Sequence, residues 1–415
     1  MRQEPKYIVL RDLTSKPESA ATRPLRPDSP LGPPKGLTKS LSQIHANSLK
    51  AMKSNLTLDV GVDRKDAEDA RRDKRTLGIA LPMPTALIAP TAAGSGPDSR
   101  NVSWGVAEVG ALKAPVTGAG VTVAVLDTGI DRKHAAFAGL MIEEQDFSGE
   151  GNGDKEGHGT HCAATIFGRD VAGFRIGVAP GVERALIGKV LRSDGGGDTA
   201  MLFKGLEWAI NANADVISMS LGFDFPGYVN GLVADGWPAD LATSDALVSY
   251  RDNLRLFDNL MQRVRLLANQ NSGSIVVAAA GNESKAGQEP NYRIAVSLPA
   301  AALGLISVGA LQKHDDGLSV ADFSNTMPRL TAPGVSIRSA QFNTKSDLVV
   351  MSGTSMACPH VAGVAALWWE QLRKEGNASA GRVEAKLLAN AKSNVFRTGV
   401  EPLDRGDGMV TAPVA

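Results

Sequence analysis

Apolar and polar positions alternate in blocks along this chain from about residue 99 onwards. Short apolar runs are separated by longer stretches in which apolar residues recur every three or four positions, as on one face of a helix. The predicted strands are residues 121–126, 184–190, 215–220, 274–280 and 303–310. The predicted helices are residues 199–211 and 355–374, and Gly376 is the stop signal of the second. Apolar strands that alternate with helices are typical of a mostly parallel sheet covered on both faces, so the pattern predicts an α/β fold.

The N-terminal part has a different pattern. Its first segment is rich in Pro, Ser, Lys and Arg and is expected to be flexible. It is followed by a polar helix candidate at 63–74, a strand candidate at 76–81 and a stretch, 83–90, that its prolines keep extended. The predicted divisions are a flexible segment 1–44, a small α+β region 45–98 and a large domain 99–415.

Residues 223–272 form a long connection between two predicted strands. Its second half has apolar residues at alternating spacings of three and four, which predicts one amphipathic helix of about seven turns. These positions are Leu247, Tyr250, Leu254, Phe257, Met261, Val264 and Ala268. The first half, residues 223–238, is aromatic and rich in turn residues. It is expected to form either a packed surface loop or a lid over a neighbouring cleft.

Length and composition agree with a globular protein that has a sizeable core. The 415 residues are 43% hydrophobic and 21% charged, and 44 basic residues balance 44 acidic ones. This zero net charge argues against nucleic acid or an anionic membrane as a partner. No apolar stretch reaches the ~18 residues of a membrane span, and the N-terminus lacks the apolar region of a signal peptide. We expect a monomer that is cytoplasmic or exported by a non-classical route.

Three short motifs provide an acid, a base and a hydroxyl, each in a turn that contains glycine. They are Asp127-Thr-Gly-Ile-Asp, His158-Gly-Thr-His and Gly-Thr-Ser355-Met-Ala. A serine hydroxyl is a poor nucleophile until a neighbouring imidazole takes its proton, and a carboxylate must hold that imidazole in the right tautomer. The motifs therefore predict Ser355 as nucleophile, His158 as base and Asp127 as the group that orients the base.

A fourth motif supplies a donor for developing negative charge. Attack on a carbonyl produces an oxyanion, and Asn282 follows the apolar strand 274–280 with a side-chain amide. Asn282 and the Ser355 backbone N–H are the predicted oxyanion hole. His161 and His360 are expected to be structural, because each lies on the helix that begins at a catalytic residue.

The chain order of Asp127, His158 and Ser355 resembles that of the subtilases, the subtilisin-like serine peptidases. The resemblance runs from about residue 104 to residue 410. It implies a three-layer subtilisin-like fold and a serine endopeptidase that hydrolyses peptide bonds through an acyl-enzyme intermediate. It also implies that polypeptide substrates pair with two strands of the enzyme. The residues of these two strands are Ser220, Leu221, Gly222, Ala279, Ala280 and Gly281.

The N-terminal region adds to the resemblance. Residues 45–98 resemble the end of a subtilase propeptide, which acts as chaperone and inhibitor of the catalytic domain. The chain's own N-terminal region is therefore an expected partner, with 83–90 in the substrate cleft and self-cleavage between 87 and 103. The alternative is an N-terminal domain that stays attached. A protein that binds peptides without cutting them, and a peptidase dedicated to one partner protein, are the functional alternatives.

Two departures from the family concern calcium. Ala135-Ala136 stands where many subtilases have Pro-Asp, and the loop 169–173 lacks the usual asparagine. Calcium needs several oxygen ligands including carboxylates, so we expect the usual strong site to be lost, with weaker sites open and no cofactor required.

The two cysteines, Cys162 and Cys358, each lie about one helical turn from a catalytic residue. They are expected either to make activity sensitive to thiol reagents or to be buried and inert.

Overall fold

The computed structural model describes residues 5–13, 56–91, 98, 101–268 and 273–414. The chain divides into two compact units, Met1–Ile79 and Ala80–Ala415. Most of the segment predicted to be flexible lies outside the described residues. Within that segment, however, Tyr7–Asp12 is a strand whose residues Ile8, Val9 and Leu10 are fully buried, so the expectation of flexibility does not hold there.

The first unit is built from a three-stranded sheet and one helix. Its elements are β1 (Tyr7–Asp12), β2 (Leu56–Val62), α1 (Arg64–Arg72) and β3 (Thr76–Ala80). The sheet order is β2-β1-β3, and β1 and β2 are antiparallel. The side chain of Asp63 accepts a hydrogen bond from the Asp66 N–H and begins the helix. The predicted helix and strand of this region are confirmed.

The second unit contains the other strands and helices. In chain order these are β4 (Pro84–Leu87), α2 (Trp104–Glu108), β5 (Thr122–Asp127), β6 (Met141–Asp146), α3 (His158–Phe167), β7 (Arg184–Lys189), β8 (Gly196–Asp198), α4 (Thr199–Asn211), β9 (Val216–Met219), β10 (Leu221–Phe223), α5 (Phe225–Ala234), α6 (Ala239–Ala268), β11 (Ile275–Ala279), β12 (Ile306–His314), β13 (Gly317–Val320), β14 (Leu330–Pro333), β15 (Ile337–Ala340), β16 (Leu348–Met351), α7 (Thr354–Lys374), α8 (Ala380–Ala389) and α9 (Pro402–Arg405). None of the described helices is both long and apolar enough to cross a membrane.

The central sheet has the strand order β13-β12-β11-β9-β5-β7-β6, and β14 pairs with β12 beside this path. Every pairing is parallel except the one between β12 and β13. The core around the sheet includes side chains of α3 and α7, and α7 is buried along most of its length. The predicted α/β fold is confirmed. The last predicted strand begins later than expected, because Leu303 lies in a turn and is 74% exposed.

The long connection is helical throughout most of its length. α6 is a single helix, as predicted, but Leu247 is 55% exposed and lies off its buried face. That face instead contains two polar residues, Ser249 and Asn253, among apolar ones. The packed surface loop expected before α6 is instead a helix, Phe225–Ala234, which the Asp224 side chain caps, and the lid stays a prediction.

Candidate active site

Three neighbouring strands of the central sheet bring predicted site residues to one edge. β9 lies between β11 and β5, and all three run in the same direction. Asp127 is the last residue of β5, Ser220 follows β9, and Asn282 comes shortly after β11. Parallel strands end at the same edge of a sheet, where α/β proteins place their functional groups. The three residues are therefore brought together although they are far apart in sequence.

Asp127 and His158 form a fully buried pair. His158 Nδ1 lies 2.9 Å from Asp127 Oδ1 and 3.1 Å from Oδ2, and neither side chain is exposed. The Thr128 N–H donates to Asp127 Oδ1 at 2.7 Å, which fixes the carboxylate. The orientation leaves Nε2 of His158 as the ring nitrogen that is free of the carboxylate.

A second buried carboxylate, Asp154, organises the start of α3. It accepts hydrogen bonds from the backbone N–H groups of Glu156, Gly157 and Thr160, and from the hydroxyls of Thr128 and Thr160. These contacts join the loop after β5 to the turn that ends at His158. Sequence analysis missed Asp154, although an acidic residue four positions before the base was a visible signal.

The environment of His158 raises its pKa well above the ordinary value of 6.5. Burial alone would lower the pKa, because desolvation disfavours the imidazolium. The adjacent Asp127 carboxylate, together with Cys162, outweighs that effect by stabilising the charged ring. The site is thus arranged to stabilise His158 when it carries a proton taken from another group.

Ser355 is the second residue of α7 and is fully buried. Its Oγ lies 3.2 Å from the Ile88 carbonyl oxygen and 3.4 Å from that of Ser220, and these are its hydrogen-bonding partners here rather than His158. The sulfur of Cys162 lies 4.0 Å from His158 Nε2 and 3.3 Å from the Ser355 carbonyl oxygen. The His158 imidazole and Ser355 therefore lie close together, and the Cys162 sulfur contacts both.

The side-chain amide of Asn282 contacts Ala89, the residue that follows Ile88. Its Nδ2 donates to the Ala89 carbonyl oxygen at 3.0 Å. A Cβ added to Gly353 would lie 3.0 Å from Nδ2, so a side chain there would crowd the amide. Thr354 holds the other end of the amide, and sequence analysis did not identify it.

The chain's own residues 84–91 lie against these groups. β4 pairs antiparallel with β10 on one side and β8 on the other, with Ala86 opposite both Gly222 and Gly196. Beyond β4, the Thr91 N–H donates to the Ser352 carbonyl oxygen at 2.8 Å. An extended peptide thus crosses the site from one end to the other, in the manner of a strand added between two edges.

The pairing differs in part from the expectation. The first predicted strand, Ser220–Gly222, does pair with the extended segment through β10. The second, Ala279–Gly281, does not form a ladder with this segment, because Ala279 ends β11 inside the central sheet and the Ala280 N–H donates to the Val308 carbonyl oxygen. Substrate contacts of these residues stay a prediction. β8 takes that place. Gly197 of β8 leaves room beside Thr85, and Gly195, just before β8, leaves room beside Leu87. Glycine-rich β8 has no apolar pattern that would have identified it.

The two cysteines are buried and not joined to each other. Burial raises the pKa of the Cys162 thiol, although His158 opposes this, and it raises the pKa of Cys358 to about 12. His161 and His360 are also fully buried, and desolvation lowers their pKa values to about 3 and about 4. These histidines are neutral near pH 7, as expected of structural residues.

The chemistry of the donor groups does not single out a separate metal site. Within the residues that the structure describes, the group of three or more close His, Cys, Asp or Glu side chains is Asp127, His158 and Cys162. This group contains the buried acid–base pair itself.

Comparison with known proteins agrees with the geometry. A model of the subtilase family matches residues 118–409. A cuticle-degrading serine protease of Arthrobotrys oligospora is 31% identical over 395 residues, which cover 86% of this chain and 84% of that protein. Subtilisin DY of Bacillus licheniformis is 35% identical over 301 residues, 71% of this chain and 92% of its own. M-protease of Shouchella clausii is 32% identical over 328 residues, 76% of this chain and 70% of its own.

Proposed function

This chain belongs to the subtilase family of serine endopeptidases, and we propose that it cuts peptide bonds with Asp127, His158 and Ser355 after first cutting its own N-terminal region. The observation that carries the proposal is the position of the chain's own peptide. The Ile88 carbonyl oxygen lies 3.2 Å from Ser355 Oγ, and the next carbonyl, of Ala89, meets the Asn282 amide. The two residues that flank the Ile88–Ala89 bond thus contact the proposed nucleophile and the proposed amide donor, which places this bond within reach of both.

In the proposed reaction, Ser355 Oγ bonds to the carbonyl carbon while its proton moves to His158 Nε2. The Ser355 hydroxyl turns from the Ile88 oxygen to the imidazole for this step, as catalytic hydrogen bonds often form only in the reacting complex. Asp127 holds the Nδ1–H and stabilises the imidazolium. His158 then gives the proton to the leaving amine, which breaks the peptide bond and leaves an acyl-enzyme. Water, activated by His158, hydrolyses the ester and restores the Ser355 hydroxyl.

The Asn282 amide and the Ser355 N–H are the proposed oxyanion donors. The negative charge that develops on the carbonyl oxygen is stabilised by donors that are already in position, because they need no reorganisation during the reaction. Thr354 fixes the amide oxygen of Asn282, and Nδ2 here donates to the Ala89 carbonyl oxygen, one residue beyond the proposed cut. In the proposed reaction the Ile88 oxygen moves to this amide as the Ser355 Oγ attacks.

The proposed self-processing bond is Ile88–Ala89. The ladder with β10 pairs Ala86 with Gly222 and Leu87 with Leu221, so Ile88 is the first residue beyond it. The Ile88 side chain is 5% exposed and passes close to Gly222, as expected of an apolar residue held before the cut bond. The next peptide bond joins Ala89 to Pro90, and the nitrogen of Pro90 carries the proline ring instead of a hydrogen.

The loss of the usual strong calcium site also stays a proposal. Members of the family need no cofactor for catalysis. In the loop predicted to lack a calcium ligand, the Arg169 guanidinium donates hydrogen bonds to the carbonyl oxygens of Phe167, Pro180 and Val182. The guanidinium therefore occupies these three oxygens next to a loop that lacks the usual asparagine, which supports the proposed loss of the site.

One observation favours a second candidate, a protein that binds its own segment and never cuts. Ser355 is fully buried beneath that segment. Two measurements on the full chain separate the candidates: reaction with a fluorophosphonate probe, and the intact mass of the 43.4 kDa chain after purification.

The proposal expects labelling of Ser355 and a new N-terminus that reads Ala89-Pro90-Thr91. The Ser355→Ala chain is the control, and it should remain whole and unlabelled. A wild-type chain that stays intact and unlabelled would support the binding protein instead. Cleavage of denatured casein by the processed enzyme would argue against a peptidase dedicated to one partner.

A further inference from the structure

The extended peptide is held well upstream of the site by the long helix α6. Asn253 lies near the middle of α6 and is fully buried. Its Nδ2 donates to the Leu81 carbonyl oxygen at 2.7 Å and to the Ser249 carbonyl oxygen, one turn earlier in the same helix, at 2.9 Å. Leu81 is eight residues upstream of the proposed cut if Ile88 counts as the first.

A second contact binds Met83, which lies in the sequence between Leu81 and the start of β4. The Met83 N–H donates to Thr199 Oγ1 at 3.0 Å, and the Thr199 N–H donates to the Met83 carbonyl oxygen at 2.9 Å. Thr199 is the first residue of α4, where backbone N–H groups have no partner within the helix. The Met83 side chain is fully buried. Both hydrogen-bonding groups of the sixth upstream residue are thus bound, and its side chain is enclosed.

These contacts use only the backbone of the peptide. Leu81 contributes its carbonyl oxygen, and Met83 contributes its carbonyl oxygen and its N–H. Any residue would offer the same groups, except that a proline in place of Met83 would lack the N–H. Backbone contacts in register with a strand are how sequence-tolerant peptide sites obtain affinity, while pockets for alternate side chains give preference. The upstream contacts therefore have the chemistry of a substrate groove.

The position of Asn253 is fixed by its neighbours on α6. Tyr250 and Phe257 lie on the same face of the helix, and both pack against Phe223 of β10, with ring centroids 6.4 Å and 6.0 Å apart. β10 is the strand that pairs with the peptide at Thr85–Leu87. One aromatic cluster therefore joins α6 to β10. It fixes the position of Asn253 relative to the strand that pairs with the peptide.

Asn253 has the features of a residue placed for a ligand. Its Oδ1 is buried and has no hydrogen-bonding partner among the described residues. A buried amide oxygen without a partner destabilises the fold, and an apolar residue of the same size would avoid that cost. Among the described residues, the hydrogen bond to Leu81 joins this side chain to a segment outside its own helix.

We propose that Asn253 and Thr199 form an upstream subsite of the enzyme, which binds extended polypeptide over eight residues before the cut bond and prefers an apolar side chain at the sixth. The proposal rests on the proposed function, since it takes Ile88 as the residue before the cut. After self-cleavage and release of the N-terminal segment, the same groups receive a substrate. Long unfolded segments are then better substrates than short peptides with the same residues at the cut bond.

The test compares two fluorogenic peptides cut by the processed enzyme obtained from the full chain. Both end in the same residues after the cut; one begins at the equivalent of Thr85 and the other at the equivalent of Leu81. We expect kcat/KM of the long peptide to exceed that of the short one by about 10- to 100-fold, as the sum of several backbone hydrogen bonds and a buried side chain. Equal values would overturn the proposal.

Two variants assign the gain to the named residues. Asn253→Leu keeps the volume but removes the donor, and it should reduce the long-to-short ratio of kcat/KM by about 3- to 10-fold. Ser249→Ala is the matched control, because the Ser249 hydroxyl lies on the same face and has no hydrogen-bonding partner within the part of the chain that the structure describes. Its ratio should equal that of wild type. A reduction of the ratio by both variants, or by neither, would contradict the proposal.

Thr199→Val allows an independent double-mutant cycle, in which the second change is made in the peptide. Replacing the Pro82–Met83 amide of the long peptide by an ester removes the N–H that Thr199 Oγ1 accepts. The ester should lower kcat/KM for wild type by about 3- to 10-fold and leave Thr199→Val unaffected. An equal loss in both enzymes would exclude the contact.

Hydrogen exchange distinguishes failure of this proposal from failure of the proposed function. In the full chain with Ser355→Ala, the segment 81–88 cannot be cut. Adding Asn253→Leu should speed its amide exchange by about tenfold and leave the central sheet unchanged. An unchanged rate overturns the subsite whether or not the enzyme is active, whereas a lack of fluorophosphonate labelling in wild type refutes only the catalytic proposal.

Discussion

The side-chain oxygen of Asn282 accepts two hydrogen bonds from Thr354, one from its backbone N–H and one from its hydroxyl, each at 2.9 Å. An amide group held at its oxygen can point only its nitrogen at the peptide. Thr354 is therefore a positioning residue for the proposed oxyanion hole, since it acts through Asn282.

This relationship gives the first prediction. Thr354→Val keeps the shape and the backbone N–H but removes the hydroxyl, so kcat should fall by about 3- to 10-fold while KM changes little. Asn282→Ala should cost ~2.7–4 kcal/mol of transition-state stabilisation, a magnitude known from subtilisin rather than derived from this structure. The measurement is steady-state kinetics on one peptide. A Thr354→Val enzyme that changes KM alone would contradict the positioning role.

The pH dependence of activity should follow His158. The imidazole must be neutral to accept the Ser355 proton, and the Asp127 carboxylate raises its pKa above 6.5. A raised pKa extends the protonated, inactive form to higher pH, so activity is lost as pH falls through that value. The sequence alone predicts a midpoint of roughly 6.5 to 7, and the structure predicts one displaced upwards. A profile of kcat/KM against pH with a midpoint below 6 would contradict this.

Arg169 should be important for stability. Its guanidinium donates to three backbone carbonyl oxygens, which would lose a charged donor in Arg169→Met. We expect a loss of about 2–4 kcal/mol in the free energy of unfolding, measured with urea in a Ser355→Ala background that prevents self-digestion. Arg132→Met is the control, because the Arg132 side chain is 59% exposed and an ion pair at the surface contributes about 0–1 kcal/mol.

Removal of calcium should have little effect on the thermal stability. The loop at Arg169 supplies its own cation, and Ala135-Ala136 offers no carboxylate. The melting temperature of the Ser355→Ala chain should therefore be nearly the same with chelator and with added calcium. A fall of many degrees in chelator would point to a strong site elsewhere.

The thiols should resist alkylation in the folded protein. Burial raises the pKa of both cysteines, and the thiolate is the reactive form. Iodoacetamide at pH 8 should leave activity intact and modify Cys162 and Cys358 only after unfolding, as read by mass spectrometry. Rapid modification of Cys162 with loss of activity would favour the thiol-sensitive alternative.

Local sequence identified much of the fold and the candidate site. Asp127 at a strand end, and His158 and Ser355 at helix starts, stand in short motifs whose composition reflects their turns. The predicted strand cores agree with the structure to within one or two residues, except the last one, because fully buried strands are apolar along their whole length.

Contacts between segments that are distant in the chain could not be predicted from local sequence. Neither the pairing of β8 with β4 nor the hydrogen bonds from Thr354 to Asn282 leave a local pattern, since each depends on where another segment lies. The same is true of α6, where packing against Phe223 turns Asn253 inward and leaves Leu247 exposed. Hydrophobic periodicity records which residues avoid water, and so it could not predict a buried amide whose partner is a carbonyl group 172 positions away. The sequence determined the chemical groups and the type of fold, while tertiary packing decided which backbone atoms those groups meet.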